Sequence, residues 1–180
     1  MKQTTIKSRH FGILFTGLIF LSLNAHTQTE PSAIPRDTLM QAALEIVKAT
    51  PFCALVTVDS TGQPQVRTMN PFPPDKDMVI WFATSRNSRK VSDIKKNPKV
   101  SVYFADHTAA KGYVNITGTA VIIDDQELLV KMKRDYWESI PNWQDRFVLI
   151  KITPKTLDVT NYARGISGDP VTSRAPTVVF

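Results

Sequence analysis

Two stretches of strict alternation confine this chain to a sheet with one wet face. From Lys99 onward, Val100, Val102 and Phe104 point one way while Ser101 and Tyr103 point the other. Gly112 to Ile122 repeats the pattern, with Val114, Ile116, Ala120 and Ile122 set against Tyr113, Asn115, Thr117 and Thr119. A period of two is what a pleated strand imposes on its side chains. Parallel strands buried on both faces read instead as unbroken apolar runs, so the alternation points to antiparallel neighbours. Gly118, in the middle of the second stretch, predicts a bulge or tight bend of the kind a barrel needs at its corners.

The rest of the chain supplies further strands and a few helices. Phe52–Val58, Gln65–Asn70, Met78–Thr84, Phe147–Ile152 and Thr156–Tyr162 read as strands, separated by a turn at Asp59–Gly62 and by breaks at Pro71–Pro74 and Pro154. Thr38 to Gln41 fits a capping box, and Leu39, Ala43, Ile46 and Val47 recur at helical spacing up to Thr50-Pro51. Asp124 with Glu127 opens another predicted helix, running through Leu128, Leu129 and Met132 to about Trp137. Residues 163–180 read as an irregular arm. Strands outnumber helices, which predicts a mainly β (α+β) fold: a small barrel of antiparallel strands with peripheral helices.

The first 25 residues stand apart. Met1 to His10 is basic, Phe11 to Leu23 is apolar, and Asn24 to Thr27 is small and polar. These are the three regions of a signal peptide, with cleavage expected near Ala25. The apolar run falls short of the roughly 20 residues of a membrane span, so an uncleaved anchor is the lesser alternative. The mature chain is expected to be exported, periplasmic or secreted, with no membrane attachment after cleavage. Residues 26–37 form a polar lead-in, and residues 38–162 the folded domain.

Charge and cysteine usage narrow the function. The 180 residues carry a formal charge of +6, but Lys2, Lys7 and Arg9 belong to the leader. Without them 19 basic residues face 16 acidic ones, a charge of +3. No arginine-rich run or basic stripe interleaved with aromatics follows, so nucleic acid is not an expected partner. The single cysteine, Cys53, lies in an apolar run and reads as a buried small hydrophobe. No Cys, His and carboxylate cluster has metal-ligand spacing.

The chemistry is concentrated between Trp81 and Phe104. A strand ends near Thr84, a helix opens at Ser88 and stops at Asn97-Pro98, and a strand resumes at Lys99. Ser88 is a good N-cap residue, and Arg89 and Lys90 follow it in the first turn. Cations there do nothing for an isolated helix, whose N-terminus already favours an anion. A bound phosphate would explain them, and so would an ordinary solvated turn.

Thr84-x-x-x-Ser88-Arg89-Lys90, then Ile94, Asn97-Pro98 and Val100-Ser101-Val102, resembles the flavin-phosphate segment of the pyridoxamine 5′-phosphate oxidase-like family. Arg67-Thr68-Met69 lies where that family carries its arginine strand, and the resemblance runs from Leu39 to Tyr162. It implies a split β-barrel, a homodimer with FMN in a groove at the interface, and oxidoreductase activity on a small substrate. By the same resemblance Arg67, Ser88, Arg89 and Lys90 hold the phosphate with Thr84 nearby, and the backbone of Thr68, Met69 and Asn70 lies along the ring. Two departures separate the chain from the true oxidase. Phe72 stands where that enzyme has a lysine for its substrate's phosphate, and residues 173–180 lack its tryptophan and Arg-x-His pair. Vitamin B6 oxidation is therefore not expected, and the general-stress-protein-like branch is the nearer match. A non-catalytic binding protein for flavin, haem or another planar ligand is the alternative. An interaction domain whose basic turn meets an acidic partner or anionic lipid is a third. No side chain stands out as a general base. Trp81, Tyr103 and Tyr113 are candidates for the ring's surroundings or for the core.

Overall fold

A computed structural model describes residues 34–180, so the leader expected at residues 1–25 and most of the lead-in lie outside the described residues. Seven strands form a single antiparallel sheet: β1 (Cys53–Val58), β2 (Pro64–Met69), β3 (Ile80–Ser85), β4 (Lys99–Ala105), β5 (Gly112–Ile123), β6 (Phe147–Asn161) and β7 (Thr177–Val179). Their order across the sheet is β2-β1-β4-β5-β6-β3, with β7 added to β6. The sheet curls into a half-barrel, the split-barrel α+β architecture.

The alternation places side chains as the sequence reading expects. Val100, Val102, Phe104, Val114, Ile116 and Ala120 are all buried in one core with Leu55, Ile80, Phe82, Ile150 and Ile152. Burying a side chain of this size is worth about 1.5–3 kcal/mol, so a one-residue slip that turned this face outward would be costly. Helix α1 (Arg36–Ala49) lays its stripe of Leu39, Ala42, Ala43, Ile46 and Val47 against β4, β5 and β6. Helix α2 (Arg89–Lys96) packs on β1 and β5 through Val91 and Ile94. It starts and stops where Ser88 and Asn97-Pro98 predict.

A second, smaller core lies behind the first. Leu149 faces away from the barrel interior and joins Leu129 and Trp137, with Phe72, Trp81, Trp143 and Phe147 packed around them. Ile150 and Ile152 of the same strand face the main core, so β6 is buried on both sides over this stretch.

The structure corrects the sequence reading in several places. Thr38 caps nothing, because α1 already begins at Arg36 with Pro35 at the cap position; proline's fixed φ suits the approach to a helix. The helix expected from Asp124 to Trp137 is shorter. Asp125, not Asp124, accepts from the Leu128 N–H at 2.9 Å and opens α3 (Gln126–Lys131). Asp124 is instead paired with Arg86. The chain leaves α3 at Met132, becomes extended at Arg134, forms a 3-10 turn over Asp135–Ser139, and makes a short helix, α4 (Trp143–Arg146). Pro154 does not end a strand: β6 continues through it, because Pro154 sits at the register shift opposite Gly118 and no ladder N–H is missed. The bulge that Gly118 predicts is there. The C-terminal arm is also less irregular than expected, since Ile166 bridges to Asn161 and Thr177–Val179 pairs with Asp158–Thr156.

Candidate functional site

Strand β2 is an edge strand, bonded only to β1. Every second residue of such a strand turns its peptide groups away from its neighbour and leaves them free. Arg67 pairs with Leu55, and Leu55 is fully buried, so the arginine side chain is carried over the barrel's inner face rather than outward. There it donates through Nη1 to the Thr57 hydroxyl at 2.7 Å and, more weakly, to the Leu55 carbonyl at 3.4 Å. Its Nη2 lies 3.6 Å from Asp93 Oδ2, and the Thr57 hydroxyl donates to the same oxygen at 2.9 Å.

The other cations arrive from α2 and the end of β3. Lys90 Nζ donates to the Thr84 hydroxyl at 3.0 Å, and Thr84 Oγ1 lies 3.5 Å from Ser88 Oγ. Ser88 occupies the N-cap position of α2 but its hydroxyl accepts nothing from the helix, so it caps by place and not by bond. The first-turn N–H groups are thus left without their usual side-chain partner. Arg89 is exposed beside them.

These charges feel one another. Burial and the neighbouring Arg89 depress the Arg67 guanidinium, while Asp93 pushes back the other way. Burial, then the charge of Arg67, depresses the Lys90 ammonium below its ordinary value. Three cations share one carboxylate, Asp93, which is only 4% exposed. Two positive charges remain uncompensated, that of Lys90 half-buried and that of Arg89 at the exposed rim, an arrangement that a bound anion relieves.

Thr84, Ser88 and Lys90 are therefore brought together by contact, Arg67 joins them through its charge on Lys90, and Arg89 through its charge on Arg67. Thr68, Met69 and Asn70 are not part of this cluster. The Thr68 side chain lies on the outer face, in a hollow with Phe52, Tyr103 and His107. Met69 packs against the main core, and Asn70 is exposed where the strand ends. Toward the cluster these residues offer the free edge of their backbone. Tyr103 and Tyr113 pack together with tilted rings, 5.5 Å between centroids, on that same outer face, and Trp81 belongs to the second core.

Sequence reasoning missed Thr57 and Asp93. Period two does place Thr57 inward with Cys53 and Leu55, and Asp93 falls three residues after Lys90 on the same helical face. Both signals are present but neither says that the two side chains meet. A third omission is Arg134, whose Nη2 donates to the Pro71 carbonyl at 2.7 Å and lies 3.3 Å from that of Asn70. Beyond Asn70 opens a groove of about 700 Å³, floored by Val47, Phe72 and Met132 and edged by Lys48, Lys131 and Lys133. Among the described residues no group of three or more His, Cys, Asp or Glu side chains is placed to hold a metal ion.

Comparison with known proteins shows the family. The family model described as pyridoxamine 5′-phosphate oxidase matches residues 39–161. The chain belongs to the pyridoxamine 5′-phosphate oxidase-like family. Its members bind flavin or related ligands. Among solved structures, general stress protein 26 of Bacillus anthracis is similar at 29% identity, covering 67% of this chain and 92% of that one, with a TM-score of 0.58. A Clostridium acetobutylicum protein related to general stress protein 26 is similar at 20% identity, covering 71% and 92%, with a TM-score of 0.62. A NimC/NimA family protein of Clostridium acetobutylicum is similar at 18% identity, covering 69% and 88%, with a TM-score of 0.55. The last two likenesses speak for the fold alone. No curated protein matches the chain.

Proposed function

We propose that this member of the pyridoxamine 5′-phosphate oxidase-like family is an exported FMN-binding flavoprotein and acts as an oxidoreductase on a small substrate. The observation that carries the reading is the pair of uncompensated charges left by Arg67, Arg89 and Lys90 against Asp93. A phosphomonoester carries close to two negative charges above its second ionisation near pH 6, so the pocket and the FMN phosphate match in sign and in number. Arg67 supplies a planar fork and Lys90 a point charge, and both donate without accepting. The Thr84 and Ser88 hydroxyls and the free first-turn N–H groups of α2 complete the donor set.

Bound there, FMN would supply the redox chemistry, and the chain supplies position and electrostatics. The residues divide that work. The α2 turn and Arg67 anchor the phosphate, and the free edge of β2 at Thr68–Asn70 presents peptide groups to a polar ring edge. The groove beyond Asn70, with Phe72 and Met132 in its floor and three lysines at its rim, favours a flat reactant bearing a negative charge.

A homodimer belongs to the same proposal. The outer face of β1, β4 and β5 carries the tilted Tyr103–Tyr113 pair, His107 stacked on Tyr103, and Phe52 at 55% exposed. Half-buried and exposed aromatics gathered on one sheet face suit a second copy of the chain. Export rests on the pattern of residues 1–25; no helix among the described residues is long and apolar enough to cross a membrane.

The deciding experiment is direct. Mature protein purified and mixed with FMN should become a yellow complex that bleaches with dithionite and, once reduced, passes electrons to an added acceptor. A complex that forms but never turns over supports the non-catalytic binding protein instead. Protein that is colourless once unbound FMN has been removed by gel filtration overturns the flavin assignment.

A further inference from the structure

We infer that Arg134 is a positioning residue: it fixes the segment from Asn70 to Phe72 and, through it, the free edge of β2 that meets the flavin ring. The inference rests on the flavin reading above. Its starting point is a gap in the sheet. The ladder between β1 and β2 ends at the pair Cys53–Met69, and the next backbone bond of this segment is the one from the Phe72 N–H to the Trp81 carbonyl, 2.8 Å. Asn70 and Pro71 between them have no strand partner.

Arg134 takes that place. One nitrogen, Nη2, spans the Pro71 and Asn70 carbonyls at 2.7 and 3.3 Å, and the guanidinium lies over the Phe72 ring, 4.3 Å from its centroid. The Phe72 ring is braced in turn by the edge of Trp137, which is 1% exposed. The residue is extended, not helical, so its side chain projects from the link between α3 and the following turn onto the strand end. The grip is charge-assisted at the carbonyls and cation–π at the ring, two favourable uses of one guanidinium. With Nη2 on the two carbonyls and its face on Phe72, Arg134 acts on the backbone beside it. Asn70 is three residues from Arg67, so a shift at Asn70 passes along the strand edge while the phosphate cations, held by Thr57 and Thr84, stay in place.

This division gives a test that separates the ring end from the phosphate end. Full-length mature protein, Arg134→Ala and Arg134→Lys are each titrated with FMN and with riboflavin, which lacks the phosphate, and followed by visible absorption. Arg134→Ala is expected to weaken both flavins by the same factor, about three- to tenfold, less than a lost direct contact because the bonds removed are to the backbone and not to the flavin. Its bound flavin should also absorb more like free flavin. Arg134→Lys keeps the alkyl stem and a donor and should fall between wild type and Arg134→Ala, still more than twofold weaker than wild type. If Arg134→Ala does not fold, the lysine variant carries the test on the same terms. Affinities within twofold of wild type with an unchanged spectrum overturn the inference, and so does a loss confined to FMN. Wild-type protein that binds neither flavin sinks the flavin reading, and the positioning role goes with it.

Discussion

The carboxylate of Asp93 lies 3.6 Å from the guanidinium of Arg67, with the Thr57 hydroxyl bonded to both. The three side chains come from a helix and two strands, and they set the charge of the site before any ligand arrives. Asp93 is the sole carboxylate facing Arg67 there among the ion pairs of the described residues.

Removing that carboxylate's charge should weaken the ligand-free protein and strengthen its hold on an anion. Asp93→Asn keeps an oxygen for Thr57 and a similar volume but leaves Arg67, Arg89 and Lys90 unopposed. Breaking a buried pair costs several kcal/mol, and the long contact and partial exposure of Arg67 reduce this to about 2 kcal/mol. The melting temperature without ligand should fall, and added FMN should raise it further than in wild type. An equal or smaller rise with FMN would show that Asp93 does not bear on the anion site.

The phosphate end should be separable from the ring end. Arg67→Ala or Lys90→Ala should weaken FMN about ten- to a hundredfold, as loss of a hydrogen bond between charged groups does, and leave riboflavin nearly untouched. FMN affinity should also decline as pH falls below about 6, because the phosphate then loses its second charge while the cations remain protonated. A flat pH profile with unchanged flavin retention in both variants removes these residues from the site.

What the sequence shows and what it hides follows a physical line. The burial of Val100, Val102, Phe104, Val114 and Ile116 is legible because a strand writes its faces at every second residue. The limits of α2 are legible because Ser88 and Pro98 act on their immediate neighbours. The meeting of Thr57 with Asp93, 36 residues apart, is written nowhere locally; within the helix Asp93 reads as one more solvated charge. Asp124 and Asp125 give the same capping signal, and only the distant Arg86 decides which of them caps. Pro154 looks like a break because its missing N–H is harmless only opposite a bulge. Thr177–Val179 is too short to announce itself as a strand.

Cys53 offers a check on the packing around β1. Burial pushes its thiol up to about 12, against an ordinary value of about 8.5 in an unfolded chain. The folded state therefore keeps a proton that the unfolded state gives up. Stability from this group is fully present below pH 8.5 and is lost progressively as pH rises toward 12. Alkylation by iodoacetamide at pH 8 should be far slower than for the same chain in denaturant. Labelling at the rate of a free thiol would mean that the β1–β2 corner opens readily.

Gly118 makes the last prediction, because the bulge there sets the register of the two longest strands. A Cβ at this position would run into the Thr153 carbonyl, which is backbone and cannot swing aside. Gly118→Ala must therefore push β5 from β6 or shift their pairing, and a strained core position of this kind costs about 2–3 kcal/mol. Gly165 is the control: its φ of +66° disfavours any side chain, but nothing stands within 4 Å of the added carbon. Gly165→Ala should lose only the left-handed penalty, about 1 kcal/mol. Denaturant midpoints measured side by side should place Gly118→Ala clearly below Gly165→Ala. Equal losses would mean that β5 and β6 have slack at the bulge, and that their register is fixed elsewhere.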